Sequence, residues 1–122
     1  MKYNHFAELT VAKNSEAIIN DIVAVIRRRG GKISERSNTA VSGKLGNRIV
    51  SRLLGICVLG LFKRQLPTII TVSISEAGEN VSLIKIYLKD NLGLIFRDSF
   101  AKSEYNKYFI EIVNEISHAA TA

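Results

Sequence analysis

The side chains that could do chemistry in this chain are few and far apart. His5 and His118 lie near opposite ends, and neither has a Cys or His at metal-ligand spacing. That pattern predicts exposed terminal histidines and no metal site. The one cysteine, Cys57, sits between Ile56 and Val58, an apolar setting that disfavours the reactive thiolate and fits a small core residue. Asp90 and Asp98 flank the short piece 92–96, where turn and cap roles account for both. No Ser-His-Asp or Cys-His arrangement is legible. Gly43-Lys44 fails the phosphate-loop pattern, because Asn38 stands where the first glycine belongs and Leu45 replaces Ser or Thr. No G-x-G-x-x-G occurs. The expectation is a binding protein without catalytic residues and without a cofactor.

Charge gives a more positive signal. Between Arg27 and Arg64 there are ten Lys or Arg residues and a single acid, Glu35, so this third carries +9 of a chain whose total is +6. Such asymmetry describes an electropositive region on a neutral-to-acidic body, and it points to an anionic partner. The candidate anion contacts are Arg48, Arg52, Lys63 and Arg64. The apolar stretch from Leu53 to Phe62, closed by Arg52 and Lys63, is ten residues long. A helix needs roughly 20 to span a bilayer, so no transmembrane segment is expected. A core element with solvated basic ends explains the stretch best, with an anionic membrane surface or a homo-oligomer interface as alternatives.

At 122 residues with 47% apolar content, the chain has the material for one domain and one core. Charged residues make up 23%, no linker or repeat divides the sequence, and its polar start lacks a secretory signal. With one cysteine there is no internal disulfide, which fits a reducing cytoplasm.

Periodicity supplies the elements. Ala7, Leu9 and Val11 alternate, predicting a strand over 6–11. Ile18, Ile22, Val25 and Ile26 form one helical stripe, with Asn14 or Ser15 as N-cap and Gly30-Gly31 as the stop, predicting a helix over 15–29. Arg27, Arg28 and Arg29 complement the C-terminal end of its dipole. From Lys32 to Leu45 a two-residue alternation reads as one strand, broken on its apolar side by Glu35 and Ser37. Thr68 to Glu76 is a strand with Ile70, Val72 and Ile74 inward; Ala77–Asn80 turns, and Val81 to Lys89 returns as its hairpin partner. Pro67 suits the entry to that hairpin. Ser103 can cap a last helix over 103–118, whose apolar face is Tyr105, Tyr108, Phe109, Ile112, Val113 and Ile116. Glu111 and Glu115 fall on its opposite side. The segment 47–58 reads as a strand, because Gly55 and Gly60 weaken the competing helical stripe of Ile49, Leu53 and Ile56 by about 1 kcal/mol each.

Two resemblances add to this reading. The run Val41-Ser42-Gly43-Lys44-Leu45-Gly46-Asn47-Arg48-Ile49 resembles the G-x-x-G loop of KH domains. That resemblance implies an RNA site in which Gly43, Lys44 and Gly46 clamp the backbone, with charge from Arg48 and Arg52. The succession Gly46-Asn47-Arg48-Ile49, Arg52-Leu53-Leu54-Gly55, Leu66-Pro67, Asp90-Asn91-Leu92-Gly93, Tyr105 and Phe109 resembles small bacterial α+β proteins with a helix-grip-like or TBP-like fold. It implies a curved antiparallel sheet around a long C-terminal helix, with room for an apolar ligand between them.

The resulting expectation is an α+β domain: one antiparallel sheet of about five strands, packed by helices over 15–29 and 103–118. The expected partner is an anionic amphipathic small molecule or a protein. The apolar contacts of a small-molecule ligand would be Leu54, Ile56, Ile70, Val72, Tyr105 and Phe109. Nucleic acid at the G-x-x-G run is the alternative.

Overall fold

The computed structural model describes residues 4–46, 68–90 and 99–121, with side chains omitted at 99–102 and 104. The readings of 47–58 as a strand, of Cys57 as a core residue and of Pro67 as a strand entry lie outside these residues. So do the turn and cap roles given to Asp98 and the 92–96 piece. The described elements run β1 (Asn4–Val11), α1 (Ser15–Arg28), β2 (Lys32–Arg36), β3 (Ala40–Leu45), β4 (Thr68–Gly78), β5 (Val81–Asp90) and α2 (Ser99–Thr121). The strands form one antiparallel sheet in the order β1-β5-β4-β3-β2.

Helix α1 begins where Asn14 accepts a hydrogen bond from the Ala17 N–H at 2.9 Å, as its N-cap position requires. It ends in a Schellman motif: the Gly31 N–H reaches Ile26 O at 2.9 Å and the Gly30 N–H reaches Arg27 O at 3.0 Å. Gly30 takes φ +78°, a conformation that a side chain would strain. The turn after β5's partner strand closes on Asn80, whose φ is +55°.

The expected single strand over 32–45 is two. Ser37 turns the chain: its Oγ accepts from the N–H groups of Thr39 and Ala40, and its own N–H donates to Ala40 O at 2.8 Å. A short polar side chain thus supplies the backbone partners that a continuous ladder would have given. A bulge between Ile33 and Glu35 restores the register, which is why Glu35 seemed to break the apolar side. The last helix also starts earlier than expected, at Ser99, so Ser103 is an exposed residue within it rather than its cap.

One core holds these elements together. Ile70, Val72 and Ile74 of β4, Ile84, Ile86 and Leu88 of β5, and Val41 and Leu45 of β3 point to the same face. The six buried residues of α1 and the buried stripe of α2, from Tyr105 to Ala120, cover it. Each such aliphatic or aromatic side chain stabilises the fold by roughly 1.5–3 kcal/mol. The helices divide the work: α1 approaches β2, β3 and β4, while α2 approaches β1, β5 and α1. No described helix is long and apolar enough to cross a membrane.

Candidate functional site

The four described residues expected to line a ligand, Ile70, Val72, Tyr105 and Phe109, are all fully buried in the shared core. Tyr105 and Phe109 lie one helical turn apart with ring centroids 5.3 Å apart and planes tilted by 55°. Ile70 and Val72 belong to the part of the sheet under α1, and Tyr105 and Phe109 to α2. All four belong to the one core that the two helices cover. The other candidates, Arg48, Arg52, Leu54, Ile56, Lys63 and Arg64, lie outside the described residues.

The most distinctive polar group at the seam of the two helices was not among the candidates. Arg29 closes α1, yet its side chain is only 8% exposed. Its Nε donates to Glu115 Oε2 at 2.7 Å, and its Nη2 reaches Glu111 Oε1 at 3.4 Å. Arg28 joins from the solvent side, 3.2 Å from Glu115 Oε1. Glu111 and Glu115 thus pack toward the end of α1, where the sequence had set them apart from any partner. Below them the Arg29 guanidinium carbon stands 5.6 Å from the centroid of the Tyr108 ring. Burial acts to lower the pKa of Arg29, but the hydrogen bond and charge of Glu115 outweigh it, and the net shift is upward.

Tyr108 is itself buried, and its hydroxyl makes no hydrogen bond of full geometry to any described residue. Burial raises its pKa, opposed in part by the positive charge of Arg29 and by a hydrogen-bonding interaction with that guanidinium, which falls short of full hydrogen-bond geometry. A raised tyrosine pKa stabilises the fold below the ordinary value near 10, and that contribution fades as pH climbs through the folded-state value. The urea midpoint of the wild type should accordingly fall between pH 9.5 and 11.5 by more than that of Tyr108→Phe, to roughly the extent linkage allows. Parallel curves would show that Tyr108 ionises as it does in the unfolded chain.

The G-x-x-G reading needs a loop opening onto a helix. Instead Gly43 and Lys44 lie inside β3, with Gly43 paired to Ile33 on one side and Ile70 on the other. A Cβ on Gly43 would stand 2.6 Å from Lys32 O, so the glycine serves close packing of the β2–β3 ladder. Gly46 follows the strand, and Arg48 lies outside the described residues. Among the described residues of the basic region, several cations are already engaged. Arg28 and Arg29 are bound to glutamates, and Arg36 donates to Asn20 of α1. His118 is exposed, as expected, whereas His5 is half-buried at the inner face of β1. No group of three or more metal-ligating side chains occurs among the described residues.

On the other face of the sheet, the β2–β3 turn leaves an open depression of about 380 Å³, floored by Ala40, Ser42 and Thr71 and edged by Glu35 and Ser37.

No protein-family model and no curated protein matches the sequence. Among solved structures, the crystal structure of Ara h 8.0201 superposes with a TM-score of 0.54, covering 98% of this chain and 98% of that one at 10% identity. The order of elements, the five-stranded antiparallel sheet and the long C-terminal helix laid on it make this a helix-grip α+β fold.

Proposed function

We propose that the protein is a non-catalytic binding protein for an amphipathic anion. The ligand's apolar part lodges beneath α2 along its seam with α1, among Tyr105, Phe109, Ile70 and Val72. Its anionic head accepts a hydrogen bond from Tyr108 and faces Arg29. The observation that carries this reading is the Tyr108 hydroxyl, buried beside a nearly buried guanidinium that interacts with it, yet without a hydrogen bond of full geometry to any described residue. A buried hydroxyl left unpaired costs roughly 1–3 kcal/mol, which a bound acceptor would relieve. The helix-grip architecture supports the location, since the sheet and the long helix are separate layers that can part. The seam is closed by full burial of its lining, so entry requires α2 to lift locally.

The test uses 1-anilinonaphthalene-8-sulfonate, an aromatic dye with one sulfonate. It should bind the native protein at neutral pH, with near-UV circular dichroism unchanged, and dodecanoate should displace it. Tyr108→Phe keeps the ring and the packing but removes the donor. A hydrogen bond to a charged acceptor contributes about 1.5–3 kcal/mol, so affinity should fall at least about tenfold. Absence of binding, or equal affinity in the variant, would reject the reading.

A further inference from the structure

The outer face of the sheet, turned away from both helices, has a composition unlike an ordinary solvated surface. Its cross-strand register assembles residues from all five strands into rows. One row reads Phe6, Tyr87, Thr71, Ser42 and Glu35, from β1 across to β2. Phe6 and Tyr87 are direct partners and remain 53% and 39% exposed, two of the three large apolar side chains exposed among the described residues. The next row reads Asn4, Lys89, Ile69, Lys44 and Lys32. It holds three lysines and no acid. Lys32 and Lys44 face each other directly, an arrangement that destabilises a sheet unless an anion lies between or over them. On the other side of the aromatic pair, Lys85 is paired in register with Glu8. Counted over this face, the lysines Lys32, Lys44, Lys85 and Lys89 outnumber Glu8 and Glu35.

Two flat aromatic side chains on neighbouring strands, with a line of cations one row away, match one class of partner. Successive rows on a strand lie roughly 7 Å apart, so a single nucleotide can rest its base on an aromatic ring and its phosphate against a lysine. We propose that the outer sheet face binds single-stranded nucleic acid, with bases stacked on Phe6 and Tyr87 and the backbone following Lys89, Lys44 and Lys32. The depression over Ala40, Ser42 and Thr71 continues the aromatic row and leaves space for the strand toward β2. This surface is independent of the seam beneath α2 and of the G-x-x-G run as a loop. Stacking tolerates any base, so the expected specificity is for single strands rather than for a sequence. An anionic membrane would be drawn by the same lysines and would accept the two rings at its interface, but it does not call for the ring-to-lysine row spacing that matches one nucleotide.

The experiment is fluorescence anisotropy with a labelled 15-mer of oligo(dT) and its RNA counterpart, against duplex DNA and phosphatidylserine vesicles as competitors. The single strands should bind, with affinity falling as salt rises from 50 to 200 mM. Phe6→Ala and Tyr87→Ala should each weaken binding by about tenfold, within the range reported by alanine substitution of stacking residues. The double variant Lys32→Gln, Lys44→Gln should lower the slope of log affinity on log salt by about 1.4, two phosphate contacts' worth. All four positions are on the exposed face, and far-UV circular dichroism should confirm that each variant folds. No binding, an unchanged affinity in the aromatic variants, equal binding to duplex, or full displacement by vesicles would overturn the proposal. The last of these would assign the face to a membrane.

Discussion

Phe109→Ala should cost about 3–5 kcal/mol of stability, whereas Ile110→Ala, one residue on, should change it by no more than about 0.5 kcal/mol. Phe109 is fully buried and tilted against Tyr105, while Ile110 is 51% exposed on the far side of α2. Truncating the phenyl ring removes its transfer free energy and leaves a cavity where α2 meets the sheet. Domains of this size are stable by only about 5–15 kcal/mol, so the loss is a large share of the total. In thermal unfolding it should appear as a drop of roughly 10–20 °C. The contrast between neighbours matters more than either value alone. If both variants unfold alike, α2 does not dock through the stripe described above.

The second large effect is at Gly43. Valine there would place Cβ 2.6 Å from the Lys32 carbonyl oxygen and 3.5 Å from Ile26 Cγ2. The first of these is backbone, which cannot swing away, so β2 must move from β3 or β3 from α1. Overpacking of this kind costs about 1–3 kcal/mol and occasionally more, and here the upper end is expected. Hydrogen exchange should show the β2–β3 amides losing protection while the longer β4–β5 ladder keeps its own. Lys44→Ala, on the exposed side of the same strand, should be nearly neutral. A stable Gly43→Val variant with unchanged exchange would return Gly43 to a loop role and reopen the G-x-x-G reading. Mutating Leu45 is no test of that reading, because Leu45 is a core residue and a charge there would unfold the hairpin.

Much of this architecture is legible in the sequence where periodicity is unbroken. The stripe Ile18, Ile22, Val25 and Ile26, framed by Asn14 and Gly30, defines α1 to within a residue. The alternation of Ile70, Val72 and Ile74 gives the start of β4 and places its end two residues early, at Glu76 rather than Gly78. The β2–β3 turn was hidden because Ser37-Asn38-Thr39 carries no Gly or Pro, and its chemistry is a serine side chain bonding nearby amides. The early start of α2 was hidden for a related reason: Ser103 looks like a cap, yet it lies inside the helix.

The polar residues of the seam were misplaced for want of one step. Arg29 follows Val25 by four residues and Ile22 by seven, so extending the apolar stripe of α1 by one turn puts it on the buried face, whereas Arg27 and Arg28 fall outside it. Glu111 and Glu115 stand three and seven residues after Tyr108 and share its side of α2. The sequence holds both facts, but the pairing between helices 80 and more residues apart is a property of the fold. The same holds for the outer face. Phe6, Tyr87, Lys32, Lys44 and Lys89 are scattered along the chain, and only the sheet register brings them together.

The measurement that tests the central claim most directly is an NMR titration of the full chain with dodecanoate, read at isoleucine and valine methyls and at the aromatic rings. Binding beneath α2 predicts shifts at Ile70, Val72, Tyr105, Tyr108 and Phe109, with Phe6 and Tyr87 unmoved. Core signals that stay fixed at saturating dodecanoate, or shifts confined to Phe6 and Tyr87, would contradict it.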